Sequence, residues 1–278
     1  MKINGKKIAA ELLENLKNKI NLLEKNKFFG AVIVGQNKES LNFLKQKQQI
    51  AEKLKIDFRI YNLEENITTD QLRKEIHRLS TPKTCGGFIV QLPLPAHINT
   101  NYVLNVIPKQ KDVDLLSEHS LGAFYTGRSK ILPPAVLTIK EILNRQKIET
   151  LNLKVAVIGF GSLVGKPIAF WLLDKTKEIR VFTSKDKDLE SELKNYDLIV
   201  SGVGKAGLFS AKHLKNNAVV IDFGYDFNEN NKIFGDFNPD QAEEKNIIYT
   251  PTPGGTGPIL VLKLFENFYN LNLEKDKL

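Results

Sequence analysis

Two polar side chains stand where periodicity asks for an apolar one or where a strand ends, two loop carboxylates follow them in the chain, and each could do chemistry. In "SLNFLKQKQQIAEKL" (40–54), positions 43, 47, 50 and 54 share one helical face and hold Phe43, Lys47, Ile50 and Leu54. Lys47 thus lies on an apolar stripe, where it either snorkels to an edge or lines a cavity in which desolvation makes its amine useful. In "CGGFIVQLPLP" (85–95) an apolar run of strand length reaches Gln91 before Pro93 and Pro95 stop it. An amide there either meets a ligand at the carboxyl end of a parallel strand or satisfies nearby loop backbone. "KQKDVD" adds Asp112 and Asp114, loop carboxylates that are solvated by default unless the loop crosses that same edge. A lysine of tuned pKa with polar partners is suited to moving protons on a bound small molecule.

A second constellation is "VAVIGFGSLVGKPIAFWLL", in which an apolar strand runs into Gly159, Gly161, Ser162 and Gly165, and Pro167 pre-sets the first turn of a helix. Glycines let backbone approach a pyrophosphate, and the helix N-terminus offers free amides and a positive dipole end. The spacing is G-x-G-x-x-x-G, and a purely structural glycine turn is the competing reading. Where an NAD-preferring site ends its second strand on an acidic residue, Thr183, Ser184 and Lys185 follow Phe182 here. Hydroxyl plus ammonium suits a 2′-phosphate, so NADP is the expected cofactor, with NAD possible.

The elements that must position these groups alternate along the chain. "KKIAAELLENLKNKINLLEK" carries a helical stripe at Ile8, Leu12, Leu16, Ile20 and Leu23, and "GAVIVG" (30–35) reads as a buried strand. A helix capped near Ser40, the strand "FRIYNL", the helix "TTDQLRKEIHRLS" and the strand at 87–92 follow. Strands apolar on both faces and separated by helices imply a parallel sheet covered on two sides. Beyond a polar loop at 108–131, the helix "PPAVLTIKEILNRQ" bridges to a second series, with strands at 154–159, 179–184, 197–202, 218–223 and 247–250. The expectation is an α/β chain of two lobes with parallel-type sheets and a cleft between them, the second lobe a Rossmann-like dinucleotide-binding domain. The domains are expected at 1–131 and at 132–257, followed by a C-terminal helix 258–278.

Composition restricts the functional classes. The chain has 278 residues, 42 % hydrophobic, with a formal net charge of +8 and a single cysteine, Cys85. Its lysines are spread along the whole length, which favours a solvated surface and small polyanions over a nucleic-acid partner. One cysteine excludes an internal disulfide framework, and His77, His97, His119 and His213 show no metal-ligand spacing, so no metal is expected. Charges interleave with the apolar positions of the N-terminal segment, which reads neither as a signal peptide nor as a membrane span, and a cytoplasmic location fits.

Taken in order, S-x-x-[aromatic]-x-x-x-K, "VQLPLP", "KDVD", the turn ending "VGKP" and "TPGGTGP" resemble the methylenetetrahydrofolate dehydrogenase/cyclohydrolase family, over nearly the whole chain. The resemblance implies oxidation of methylenetetrahydrofolate to methenyltetrahydrofolate with NADP or NAD, then hydrolysis to formyltetrahydrofolate, by a homodimer. It implies Lys47 as the central catalytic lysine, Gln91 as its hydrogen-bonding partner and Asp114 as the anchor of the pterin ring. Phe43, Pro253, Gly254, Gly255 and Pro258 would touch substrate, and the C-terminal helix 258–278 would return to complete the first domain. Gly159, Gly161, Ser162, Gly165, Ser184, Lys185, Gly202 and Gly224 would line the cofactor, with Asp222 and Gly204 as secondary candidates. Four departures stand out: Phe43 replaces the usual Tyr, Leu115 the usual Gly, "PPAV" (133–136) the usual "PCTP", and Phe160-Gly161 the usual Arg-Ser. They leave two alternatives, a dehydrogenase with weak or absent cyclohydrolase activity and a non-catalytic nucleotide- or folate-binding protein.

Overall fold

The computed structural model describes residues 1–20, 26–227 and 232–273. Leu23 of the first helical stripe and the last five residues of the expected C-terminal helix lie outside them. The chain divides into two compact units, one of residues 11–134 and 261 onward, the other of residues 1–10 and 135–260.

In the first unit, helices α2 (Lys38–Leu54), α3 (Thr69–Ser80), α4 (Thr100–Leu104) and α5 (Glu118–Tyr125) accompany strands β1 (Phe28–Val34), β2 (Asp57–Leu63) and β3 (Cys85–Val90). The strands form a parallel sheet in the order β2-β1-β3. β1 and β3 are buried along their whole length, as their unbroken apolar runs require, whereas β2, at one edge of the sheet, alternates polar with apolar residues and is partly exposed. One core face is closed by the last helix, α9 (Thr256–Asn272), whose Phe268 stacks on Phe29 with ring centroids 5.1 Å apart and whose Phe265 meets Phe29 edge-on at 5.3 Å. The far half of α1 (Gly5–Ile20) adds Leu16 and Ile20 to that core.

Local chemistry sets two boundaries differently from the sequence reading. The cap of α2 is Asn37, whose side chain accepts from the Ser40 amide at 2.9 Å; Ser40 itself is buried in the first turn. The segment 108–131 is not all loop, because Ser117 caps α5 by accepting from the Ser120 amide.

The second unit carries β4 (Lys154–Ile158), β5 (Glu178–Phe182), β6 (Leu198–Ser201), β7 (Val219–Asp222) and β8 (Ile248–Tyr249), parallel throughout in the order β8-β7-β6-β4-β5. Helices α6 (Pro134–Arg145) and α7 (Gly165–Leu172) and the single turn α8 (Leu189–Glu192) accompany them. Residues 1–10 belong here, outside the expected 1–131 boundary: Ile3 N donates to Tyr249 O at 2.8 Å and Tyr249 N to Met1 O at 3.0 Å, so the N-terminus extends the sheet past β8. A Cβ on Gly5 would lie 1.8 Å from Gly255 O, so this approach requires glycine. Among the described residues no helix is long and apolar enough to cross a membrane.

Candidate active site

In the first unit, α2 presents Leu44, Ala51 and Leu54 to the core and leaves Lys47 half-buried among them. Lys47 does not snorkel into solvent. Its ammonium donates to Gln91 Oε1 at 2.7 Å, and Gln91 Nε2 donates to Leu92 O at 2.8 Å. The loop-backbone reading of Gln91 holds at one end of its amide, and the other end accepts from the lysine. Gln91 is 8 % exposed, and its own amide continues the β1–β3 ladder by donating to Val32 O at 2.8 Å.

Asp112 and Asp114 take different tasks. Asp112 is buried, not solvated; it accepts from Ser117 N (2.9 Å), Ser117 Oγ (2.7 Å) and Leu116 N (3.2 Å), which folds the loop back on itself. Asp114 is left to face Lys47. Desolvation pushes the Asp114 carboxyl up to about 6, with the Lys47 charge opposing the rise and Asp112 adding to it. Burial likewise draws Lys47 below the ordinary lysine range, against the pull of Asp114. A lysine whose pKa is lowered by burial, held by an acceptor and set beside a carboxyl raised by the same burial, is suited to taking up and releasing protons.

Two supports of this loop were missed in the sequence. Lys111 is buried and donates to Ser80 O, Thr81 O and Pro82 O at 2.6–2.9 Å, closing the carboxyl end of α3. Asn267, fully buried on α9, donates to Val113 O at 2.9 Å and Leu132 O at 2.8 Å, pinning the backbone next to Asp114. Its polar type amid Leu264, Phe265 and Phe268 is the same signal that flagged Lys47, and could have flagged it. Leu115 has φ +54 and is buried, so the chain adopts the left-handed turn here without the glycine. Phe43 is half-buried on α2, and Ala135 and Val136 of "PPAV" are buried in the first turn of α6.

In the second unit, β4 runs into Gly159 (φ +92), and α7 begins at Gly165, where a Cβ would lie 2.1 Å from Gly159 O. Around Gly161 a Cβ would meet nothing within 4 Å, and Ser162 beside it is exposed. This tight strand-turn-helix with open space above fits a dinucleotide pyrophosphate. Gly202 packs against the same turn, its Cβ position 2.6 Å from Val164 Cγ1. Phe160 is half exposed, with the Lys166 ammonium 5.6 Å from its ring centroid. Ser184 and Lys185 are exposed after β5, but Thr183 is engaged: its amide and hydroxyl donate to Asp186 at 2.8 and 3.1 Å. In the 250–258 segment, the Thr252 and Thr256 hydroxyls donate to Gly224 O (3.3 Å) and Asp222 O (2.8 Å); Gly254 has φ +96, and Pro253 is exposed. Pro258 stands in the first turn of α9.

A doubly wound, parallel-stranded unit with this glycine turn, joined in one chain to an α/β unit holding a partly desolvated lysine, defines a nucleotide-dependent enzyme of two domains. Comparison with known proteins identifies which. Residues 3–114 match the tetrahydrofolate dehydrogenase/cyclohydrolase catalytic domain and residues 133–276 the NAD(P)-binding domain of the same family, and the chain belongs to that family. The bifunctional protein FolD of Clostridium botulinum is 34 % identical over 95 % of both chains, and that of Staphylococcus aureus (strain MRSA252) 33 % identical over 95 % of this chain and 94 % of its own. The crystal structure of FolD from Campylobacter jejuni superposes with a TM-score of 0.92 at 31 % identity over 98 % of both chains. That of Trypanosoma brucei FolD, complexed with NADP and an inhibitor, superposes with a TM-score of 0.90 at 27 % identity, covering 98 % of this chain and 96 % of its own.

Proposed function

We propose that this enzyme oxidises methylenetetrahydrofolate to methenyltetrahydrofolate with NADP and hydrolyses the product to formyltetrahydrofolate, with Lys47, Gln91 and Asp114 as its working side chains. The observation that carries the reading is the Lys47–Gln91 hydrogen bond on a helix face otherwise committed to the core. NADP, when bound, supplies the hydride acceptor; Gly159, Gly161, Ser162, Gly165, Gly202 and Gly224 would hold it, with Ser184 and Lys185 at a 2′-phosphate. The exposed Ser184 and Lys185 and the NADP-complexed relative support that choice.

Oxidation asks the protein mainly for position and exclusion of water. Asp114, ionised at neutral pH, would accept hydrogen bonds from the pterin ring, with Phe43 of the same unit against the folate; Pro253, Gly254, Gly255 and Pro258 are carried as substrate contacts by the family resemblance. Hydrolysis asks for more, because water must lose a proton as it adds to the cationic methenyl carbon. The Lys47 amine, lowered in pKa, accepts that proton and returns it as the adduct collapses, and Gln91 Oε1 holds Nζ in place between the two transfers. The missing hydroxyl at Phe43 removes a polar contact without removing the lysine. We further infer a homodimer in the reducing cytoplasm, supported by the family and by a single, buried cysteine; light scattering tests the dimer.

The test of the function follows reduced cofactor and methenyl product separately in purified protein given methylenetetrahydrofolate with NADP or NAD. Reduced NADP without methenyl accumulation is expected. Methenyl accumulation would leave a dehydrogenase alone, and no turnover would leave a binding protein.

A further inference from the structure

Two buried carboxylates of the second unit take no part in the chemistry above, and they are wired to the turns that would meet the cofactor. Asp236 is fully buried. Its Oδ2 accepts from Ser201 Oγ (2.5 Å) and Val203 N (2.8 Å), and its Oδ1 from Lys205 N (2.7 Å). All three donors belong to the end of β6 and the turn that follows. Asp222, at the end of β7, accepts from Gly224 N (2.7 Å) and Phe237 N (3.0 Å). The two segments press together without room for side chains: a Cβ on Gly224 would lie 2.3 Å from Asp236 Cγ, and one on Gly235 2.1 Å from Asp222 Oδ2. Gly224 is therefore glycine because Asp236 occupies that space, whatever a ligand also requires.

The turn held by Asp236 abuts the glycine turn. The Cβ position of Gly202 lies 2.6 Å from Val164 Cγ1, and that of Gly159 lies 3.1 Å from Val203 Cγ2. With the Val203 and Lys205 amides directed inward at Asp236, the Val203 side chain is left 47 % exposed beside Gly159. Three charge-assisted hydrogen bonds on one five-residue stretch are enough to select its conformation. Resting on the reading of this unit as the NADP-binding half, we propose that Asp236 is a positioning residue for the dinucleotide, fixing residues 201–205 in the shape that receives it, with Asp222 bracing Asp236 from the neighbouring strand.

The test compares Asp236→Asn, Asp236→Ala and Ser201→Ala with the unaltered enzyme, measuring NADP dissociation constants by calorimetry together with KM for NADP and kcat. Asp236→Ala is expected to weaken NADP at least tenfold in both Kd and KM, with kcat at saturating NADP within threefold. Asp236→Asn keeps one acceptor oxygen and should fall between, and Ser201→Ala, losing one donor, should weaken NADP about twofold to fivefold. The two milder variants carry the test if Asp236→Ala does not fold. NADP affinity unchanged in Asp236→Asn and Ser201→Ala would overturn the assignment, as would a loss confined to kcat. Unaltered enzyme that binds neither NADP nor NAD would instead overturn the functional reading on which the assignment rests.

Discussion

Gln91 is oriented by its own neighbour: Nε2 donates to Leu92 O at 2.8 Å, which leaves Oε1 to accept from Lys47 Nζ at 2.7 Å. A lysine ammonium has only donors, so this amide orientation is the one that can hold it. Gln91→Leu removes the acceptor that favours the charged lysine. The lysine-dependent limb of the pH–rate profile for methenyl hydrolysis should move to lower pH, kcat should fall about tenfold or more, and stability should drop by about 1–3 kcal/mol for the buried donor left unpaired. A pH profile and a denaturant titration read these outcomes.

Asp114 gives a second pH signature. Its carboxyl is pushed up to about 6, so the ionised form proposed to anchor the pterin ring is depleted as pH falls through that value. KM for the folate should rise about tenfold between pH 7 and pH 5. In Asp114→Asn the KM should be high throughout and lose that dependence.

Asp222 makes a prediction about stability. Desolvation, reinforced by Asp236, raises its carboxyl to about 7 from 3.8. The folded state then binds more protons than the unfolded state between those values, so stability falls as pH rises through the window. From pH 5.5 to pH 8 this group should cost about 2 kcal/mol. Asp222→Asn should lose that much of the pH dependence, measured by denaturant unfolding at both pH values.

Leu115 sets two effects against each other. Its positive φ costs about 1–2 kcal/mol for a side chain with a Cβ, which glycine would relieve. Its side chain is 1 % exposed, and deleting a buried leucine costs about 2–5 kcal/mol. Burial wins, so Leu115→Gly should destabilise the protein, read as a lower Tm, even though glycine suits the turn.

Much of this site was legible because it breaks periodicity. Lys47 on an apolar stripe and Gln91 closing a buried strand are visible in one dimension, as is the glycine turn between β4 and α7. The structural task of Asp112 was not, and Asp236 was not visible at all. Each is a carboxylate in an irregular segment, and its partners, Ser117 for one and Ser201, Val203 and Lys205 for the other, are brought to it only by folding. The placement of residues 1–10 was hidden for a similar reason: their extension of the sheet beyond β8 consists of backbone hydrogen bonds, which leave no mark on side-chain type. Asn37 and Ser40 are both good cap residues by type, and only the geometry shows that Asn37 is the one that accepts.

Lys47 is the group proposed to move the proton in hydrolysis. The most direct measurement is the rate of methenyltetrahydrofolate hydrolysis by Lys47→Met, with NADP binding followed in the same preparation. A fall of about 10²- to 10⁴-fold in kcat is expected, with the NADP dissociation constant unchanged. Hydrolysis at the unaltered rate, with folding and NADP binding intact, would contradict that role.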